Sequence, residues 1–318
     1  MTATIEAQPA ASLVLPPGAG RDVWLAERRK HVGGSDIAAI MNVSPYDGPM
    51  STWMDKVHGR TKKMTDAMSI GIHMEPWIMN KFAAMNRDLH VVASPGMYVV
   101  DNDLDDNGHR WRSANPDGIA TLTDGRRALI EAKTARRYGD DTCDTWGDEG
   151  TDEIPYAYLC QVTWNCAALN CELWVVPVLF DGGDYREYRG RFEPALAETL
   201  IDHARNWWNA NVVGDGEPAA DYRESTRTIL NDRYGAAEAT RKTFGPAGPD
   251  ALLWQADFCQ LREQIKTLKQ RQDERANLLR QAHVKADVQE LRHAGNTIST
   301  MITTKTGSVR LNVKELAS

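Results

Sequence analysis

The 318-residue sequence contains no apolar run approaching the ~20 residues needed to cross a bilayer, so a membrane-spanning role is not expected. Its eight histidines form neither HxH nor HExxH, which leaves no zinc-hydrolase signature. No GxxxxGK[ST] loop is present, and an internal ATP motor is excluded with it. The cysteines, Cys143, Cys160, Cys166, Cys171 and Cys259, are odd in number and include no CxxC pair. They read as reduced apolar fillers of a cytoplasmic protein rather than a disulfide framework or the ligands of a metal cluster. The opening MTATIEAQPAASLVLPPGAG lacks the basic start and long apolar stretch of a secretion signal. Its Ala, Pro and Gly content makes residues 1–20 a loose, disordered arm. No internal repeat is found.

What is present is ordinary globular material, 42% hydrophobic and 25% charged, with ten tryptophans to anchor a core. The length accommodates one domain of roughly 200 residues and a smaller appendage. The net charge of −7 argues against a protein that coats nucleic acid non-specifically. Charge is unevenly spread: residues 251–318 hold eleven Lys/Arg and seven Asp/Glu, so that segment is +4 and the rest is −7 − 4 = −11. An acidic body is compatible with carboxylates gathered around metal ions.

Periodicity divides the chain. Residues 22–30 read as a short helix; Ser35 is placed to cap the helix that follows, and 51–59 forms another, ended by Gly59. Residues 69–87 set Met74, Ile78 and Phe82 four apart, a helical core stripe that Pro76 either begins or bends. From 91 to 133 the pattern is that of strands. An acidic loop covers 136–154, a helix 155–170, two strands flank Asp181-Gly182-Gly183, and a helix spans 194–212. The domains expected are an arm (1–20), a catalytic domain (21–220), a linker (221–245) and a C-terminal helical segment with a β-rich, hairpin-forming end (246–318). Leu261, Ile265 and Leu268 form an apolar seam in that last segment, though intervening polar residues argue against a long coiled coil.

The chemistry concentrates in NPDG (115–118) and IEAK (130–133). If ALIEAK is a strand, its period of two puts Glu131 and Lys133 on one face. Asp117 ends the preceding strand, and the intervening turn brings it beside Glu131. Two carboxylates and an ammonium then converge, a set that suits Mg²⁺ or Mn²⁺ and an activated water. Alternating charges on an exposed hairpin give the same spacing without function. Against that reading, Ala128-Leu129-Ile130 is apolar enough for a buried strand, where charges need partners. Trp207-Trp208 reads as helix packing rather than a base-stacking platform. Arg136 and Arg137 are equally compatible with DNA-backbone contact and with a solvated loop.

In order along the chain stand WLAERRKHVGGSDIAAIMNVSPY, the GxxxEP of 71–76, NPDG, EAK and PYAYLCQVTW (155–164). This series resembles the YqaJ-type viral recombinases, relatives of phage lambda exonuclease within the PD-(D/E)xK nuclease superfamily. The resemblance spans about residues 21–215. It implies an α/β, restriction-endonuclease-like core, a central mixed β-sheet flanked by helices with the active site at a sheet edge. It also implies a Mg²⁺-dependent 5′-to-3′ exonuclease of double-stranded DNA ends that leaves 3′ overhangs for recombination. On this resemblance Asp117 and Glu131 are metal ligands, with the Ala132 carbonyl assisting and Glu75 completing the site. Lys133 activates the water and Gln161 positions it. Arg28 and Ser35 match a 5′-phosphate pocket, while Asn115 stands where some relatives have Ser or Thr. A single-strand annealing recombinase is the implied partner and a ring-shaped homo-oligomer, a trimer, the implied assembly. An endonuclease or nickase with the same metal site, and a non-catalytic DNA-end binding module, are the competing readings.

Overall fold

The computed structural model describes residues 11–60, 64–136, 146–236, 246–304 and 307–314. Cys143, Arg137, the first half of the expected arm and much of the acidic loop lie outside them. The chain divides into two compact units, Met1–Ala239 and Thr240–Ser318. Among the described residues no helix is long and apolar enough to cross a membrane.

The first unit is a mixed sheet with helices on both faces, as expected. Strands β2 (His90–Ala93), β5 (Gly118–Thr121) and β6 (Arg127–Ile130) form an antiparallel set. Strand β8 (Leu173–Phe180) runs parallel to β6 at its start and parallel to β7 (Lys133–Ala135) at its end, and hairpins back as β9 (Asp184–Arg191). Thus β6 and β7 lie along one line beside β8, broken at Glu131-Ala132. Pro177 accounts for the break. Glu131 N–H donates to the Val175 carbonyl at 3.0 Å, so the return bond of a parallel ladder would come from residue 177. Proline has no N–H to give.

Two helices cover the sheet. α4 (Asp66–Met85) packs Met79 and Phe82 against Ala128, Ile130 and Val175. α5 (Tyr156–Leu169) packs Val162 and Cys166 against Leu129, Val176 and Val178 on the other face. Alternation along β6 and β8 thus sends successive side chains into different cores. α4 begins at Thr65, whose side chain accepts from Met68 N–H, and Pro76 lies inside the helix. Ile78 and Phe82 of the expected stripe are buried.

Helix α1 (Arg21–Arg28) buries no residue, and a third core gathers α2 (Gly34–Ile40), α3 (Pro49–His58) and α6 (Pro194–Trp208) with its π-helical extension Asn209–Val213. Trp53, Trp111, Trp164, Trp207 and Trp208 meet there. Such rings each bury ~150–250 Å², worth on the order of 4–6 kcal/mol before entropy is subtracted. Trp207-Trp208 is therefore packing, not an open stacking platform.

Three expectations are corrected. Ala11–Leu15 of the supposed arm form β1, paired with β3 (Met97–Val100), which also pairs β4 (Ser113–Ala114). The supposed linker contains α7 (Glu224–Ala236), because Ile229 has a core to enter and Arg223 caps the Asn42 and Ser44 carbonyls. Ser35 does not cap α2. Gly33 holds that position, and Asp36 reaches back to accept its N–H at 3.0 Å.

The described residues of the second unit form one helix, α8 (Ala251–Ala286), and an antiparallel sheet of β10 (Glu290–His293), β11 (Asn296–Thr303) and β12 (Val309–Val313). His283, buried, joins them: its ring nitrogens meet the Val288 carbonyl and Ser299 Oγ at 3.0 and 2.9 Å.

Candidate active site

The antiparallel register of β5 and β6 pairs Gly118 with Ile130. Asp117, one residue before β5, therefore stands across from Glu131, one residue after β6. Beyond Ile130 the β6–β7 line has lost its β5 neighbour and is a local sheet edge. The backbone there turns to the acid: Ala132 N–H donates to Asp117 Oδ2 at 2.8 Å. Lys133 Nζ donates to Glu131 Oε1 at 2.7 Å and lies 5.2 Å from the centre of the Tyr158 ring. From α5, Gln161 Nε2 donates to the same Glu131 oxygen. Glu131 is itself buried, so the two donors fix one carboxylate oxygen in place.

Each of the predicted catalytic residues thus contributes to one locus, with Glu75 arriving from α4. Its carboxyl is raised above the usual range by burial and by the Glu131 charge, with Lys133 opposing. Asp117 is held well above its ordinary range, first by burial and then by Glu131. Burial pulls Lys133 down, but Glu131 and Asp117 outweigh it, and the ammonium sits above its usual range. The cluster is an acid-rich, partly desolvated site with one firmly protonated lysine.

Among the described residues, no three His, Cys, Asp or Glu side chains close into a group able to hold a metal ion by themselves. The donor chemistry nevertheless fits a hard divalent cation. Such an ion, Mg²⁺ above all, takes one or two carboxylates and keeps several waters. Asp117 and Glu131 provide two carboxylates whose mutual repulsion a cation relieves.

The expected phosphate-binding residues also come together. Val32 bridges to Arg112, its N–H donating to the Trp111 carbonyl at 2.7 Å and its carbonyl accepting from Ser113 N–H at 2.8 Å. This lays the α1–α2 turn beside the strand leading to Asn115. Arg28 stacks on Trp24 at 5.7 Å and reaches Ser35 Oγ at 3.4 Å, while Trp24 Nε1 reaches Asn115 Oδ1 at 3.4 Å. Ser35 and Asn115 are exposed. Arg28 is not free: it is paired with Asp36 and Asp55. Lys56, its side chain wholly buried, donates to Asp36 Oδ2 at 2.7 Å and to the Arg28 carbonyl at 3.0 Å. Burial favours protonation of Asp36, but Arg28 and Lys56 overcome this and hold it below its ordinary range.

The model of the YqaJ-like viral recombinase domain matches residues 23–172. Nearly half of the chain is therefore similar to that domain. The match contains Glu75, Asp117, Glu131, Lys133 and Gln161, as well as Arg28, Ser35 and Asn115. The chain is 25% identical over 270 residues to the uncharacterized protein YqaJ of Bacillus subtilis (strain 168), covering 82% of this chain and 77% of that protein. It is also similar to the solved alkaline exonuclease of Laribacter hongkongensis, at 17% identity and a TM-score of 0.44, over 69% of this chain and 99% of that one. A phage-related exonuclease of Haemophilus somnus 129PT matches at 9% identity and a TM-score of 0.41, over 60% and 98%.

The YqaJ-like domain also contains a residue that the sequence reading passed over. Asn165 lies one helical turn after Gln161 and is buried; its Nδ2 faces Glu131 Oε2 at 3.5 Å, and its Oδ1 has no partner. Gly34 makes room for it: a Cβ there would stand 2.5 Å from Asn165 Oδ1. The signal was available, since Asn165 is a lone amide in the apolar run VTWNCAAL at four-residue spacing from Gln161. Asp36 and Lys56 were likewise missed, because nothing in their spacing announces a pairing across twenty residues. The cysteines behave as expected in part: Cys160, Cys166 and Cys171 are buried, but Cys259 is exposed. Burial pushes the Cys160 and Cys171 thiols up to about 11, which keeps them unreactive. A cavity of about 360 Å³ lined by Trp146, Glu153, Phe180, Arg186 and Tyr188 contains none of the candidate residues.

Proposed function

We propose that the YqaJ-like domain is a Mg²⁺-dependent deoxyribonuclease that digests double-stranded DNA from its ends. The observation that carries this reading is the convergence of Lys133 and Gln161 on one oxygen of Glu131, with Asp117 placed across the sheet edge. A scaffold hairpin has no use for a buried acid held by two donors beside a second raised acid. The side chains of Asp117, Glu131 and Glu75, with the Ala132 carbonyl, would hold Mg²⁺, and Mn²⁺ can replace it. When bound, the ion polarises the scissile phosphate and lowers the pKa of a water.

The chain's own groups do the rest. Lys133 stays protonated and places a positive charge where negative charge builds on the phosphoryl oxygens. Gln161 and Lys133 lock the Glu131 carboxylate so that its orientation need not be found during the reaction. Ser35, Asn115 and Arg28 receive the 5′-terminal phosphate, the fork of Arg28 offering two parallel donors once the phosphate competes with Asp55. Digestion then runs 5′ to 3′, releasing mononucleotides and leaving a 3′ overhang for recombination. A phage-type annealing protein is the partner that loads on that overhang, a ring trimer the assembly, and the host cytoplasm the location.

Digestion of 5′-phosphorylated linear duplex beside a closed circular plasmid tests the reading. Mononucleotides from the linear DNA alone support it. Cutting of the circle replaces it with an endonuclease of the same metal site, and silence on both leaves a DNA-end binding module.

A further inference from the structure

The second unit displays an apolar seam that its own sheet does not cover. Along α8, Trp254, Phe258, Leu261, Ile265 and Leu268 recur at steps of four, three, four and three, and each is 55–68% exposed. That alternation is the 3.5-residue repeat of a coiled coil, with Trp254, Leu261 and Leu268 at d and Phe258 and Ile265 at a. Gln272 and Arg275 occupy the next a and d places and end the seam. Further along, Leu279 is partly covered and His283 buried beside β10 and β11. The helix therefore has two parts: its end is dressed by the sheet of its own unit, and its first three heptads are bare.

We propose that residues 251–271 of α8 pair with the same residues of a second copy of this chain, as a short, parallel, in-register coiled coil. Three features choose this occupant. The seam follows the coiled-coil repeat rather than the broader 3.6-residue face of a helix laid on a globular core. Ile265 at a, between Leu261 and Leu268 at d, is the combination that favours two parallel strands. The flanking charges match as well. Asp257 falls at g and Arg262 at the following e, the two positions that face each other across a parallel dimer, and symmetry makes that contact twice. Along one helix the same two residues are five apart and do not pair. Arg262 already holds its guanidinium 5.0 Å from the centre of the Phe258 ring, at the border of the seam, where its N–H groups can face an acid across the pair. Pairing through α8 does not depend on the nuclease reading.

The test uses the full chain. Sedimentation equilibrium is run on the native protein and on Ile265→Lys/Leu268→Lys, whose lysines keep helix propensity while placing charge in the seam. The native protein should show an association step that doubles the mass of the assembly its nuclease unit forms, from one ring trimer to two, and the double variant should lose that step at unchanged helicity. Register is tested by Asp257→Arg and Arg262→Asp, each expected to weaken association roughly tenfold alone. Mixed one to one, the two should form a heterodimer close to native affinity. A native mass unaffected by the seam variant overturns the pairing, as does a helicity-preserving variant that changes binding of another protein but not self-association. Failure of the mixed pair to recover overturns the parallel register.

Discussion

Removing the charge of Asp117 should make the metal-free protein more stable while making it inactive. Asp117 is partly exposed, yet burial and the neighbouring Glu131 raise it well above its usual range. The folded chain therefore binds more protons than the unfolded one across the interval between the ordinary value and the raised one. Stability is fullest below the ordinary carboxylate range and falls as pH climbs toward the raised value, with a slope of at most ~1.4 kcal/mol per pH unit for one proton. Asp117→Asn keeps an oxygen to accept the Ala132 N–H, now at 2.8 Å, and exchanges a charge-assisted bond for a neutral one, a loss of about 1 kcal/mol. It also removes the repulsion with Glu131, and replacing awkward buried charge commonly returns ~1–4 kcal/mol. The net expectation is a gain of up to about 3 kcal/mol at neutral pH. A domain of this size shifts Tm by ~2–4 °C per kcal/mol, so Tm should rise by up to roughly 12 °C. Thermal melts of both proteins from pH 4 to 8, without and with Mg²⁺, measure it. Saturating Mg²⁺ at about 100 times Kd should add ~2.7 kcal/mol to the native protein and far less to the variant. An Asp117→Asn protein that melts lower at neutral pH, or gains as much from Mg²⁺ as the native chain, refutes the reasoning.

Other perturbations follow from the same geometry. Lys56→Met keeps the apolar stem but removes a charge bonded to Asp36 at 2.7 Å; loss of one partner of a buried pair should cost ~3–5 kcal/mol, read from urea melts. Gly34→Ala places a Cβ 2.5 Å from Asn165 Oδ1; nuclease rate should fall at least tenfold, with only about 1–3 kcal/mol lost in stability. Gln161→Ala removes one of the two donors on Glu131 and should lower kcat ~10²-fold with little change in KM, measured on 5′-phosphorylated duplex.

Much of the candidate catalytic cluster was legible because it is local. Asp117, Glu131 and Lys133 sit within seventeen residues at the ends of β5, β6 and β7, where alternation and register fix their geometry. One detail escaped even there: ALIEAK is two strands, not one, because Pro177 on β8, far along the chain, withholds a ladder bond. Glu75 and Gln161 came from the order of motifs rather than from spacing, since helices on opposite faces of a sheet meet only through the fold. The environment of Arg28 was not legible. The resemblance implies a phosphate site at Arg28, and only the packing of α3 against α2 reveals that Asp36 and Asp55 already engage it, with Lys56 on Asp36. β1 and α7 escaped for the same reason. Neither has a strong pattern of its own, and each is ordered by a surface that other elements provide.

The most direct test of the active site is single-turnover release of mononucleotides from 5′-phosphorylated linear duplex in Mg²⁺ by the native protein and by Lys133→Ala. Loss of the ammonium bonded to Glu131 at 2.7 Å should slow release by ~10²–10⁴-fold while duplex-end binding persists. A variant that digests at the native rate would contradict the assignment of this cluster as the catalytic centre.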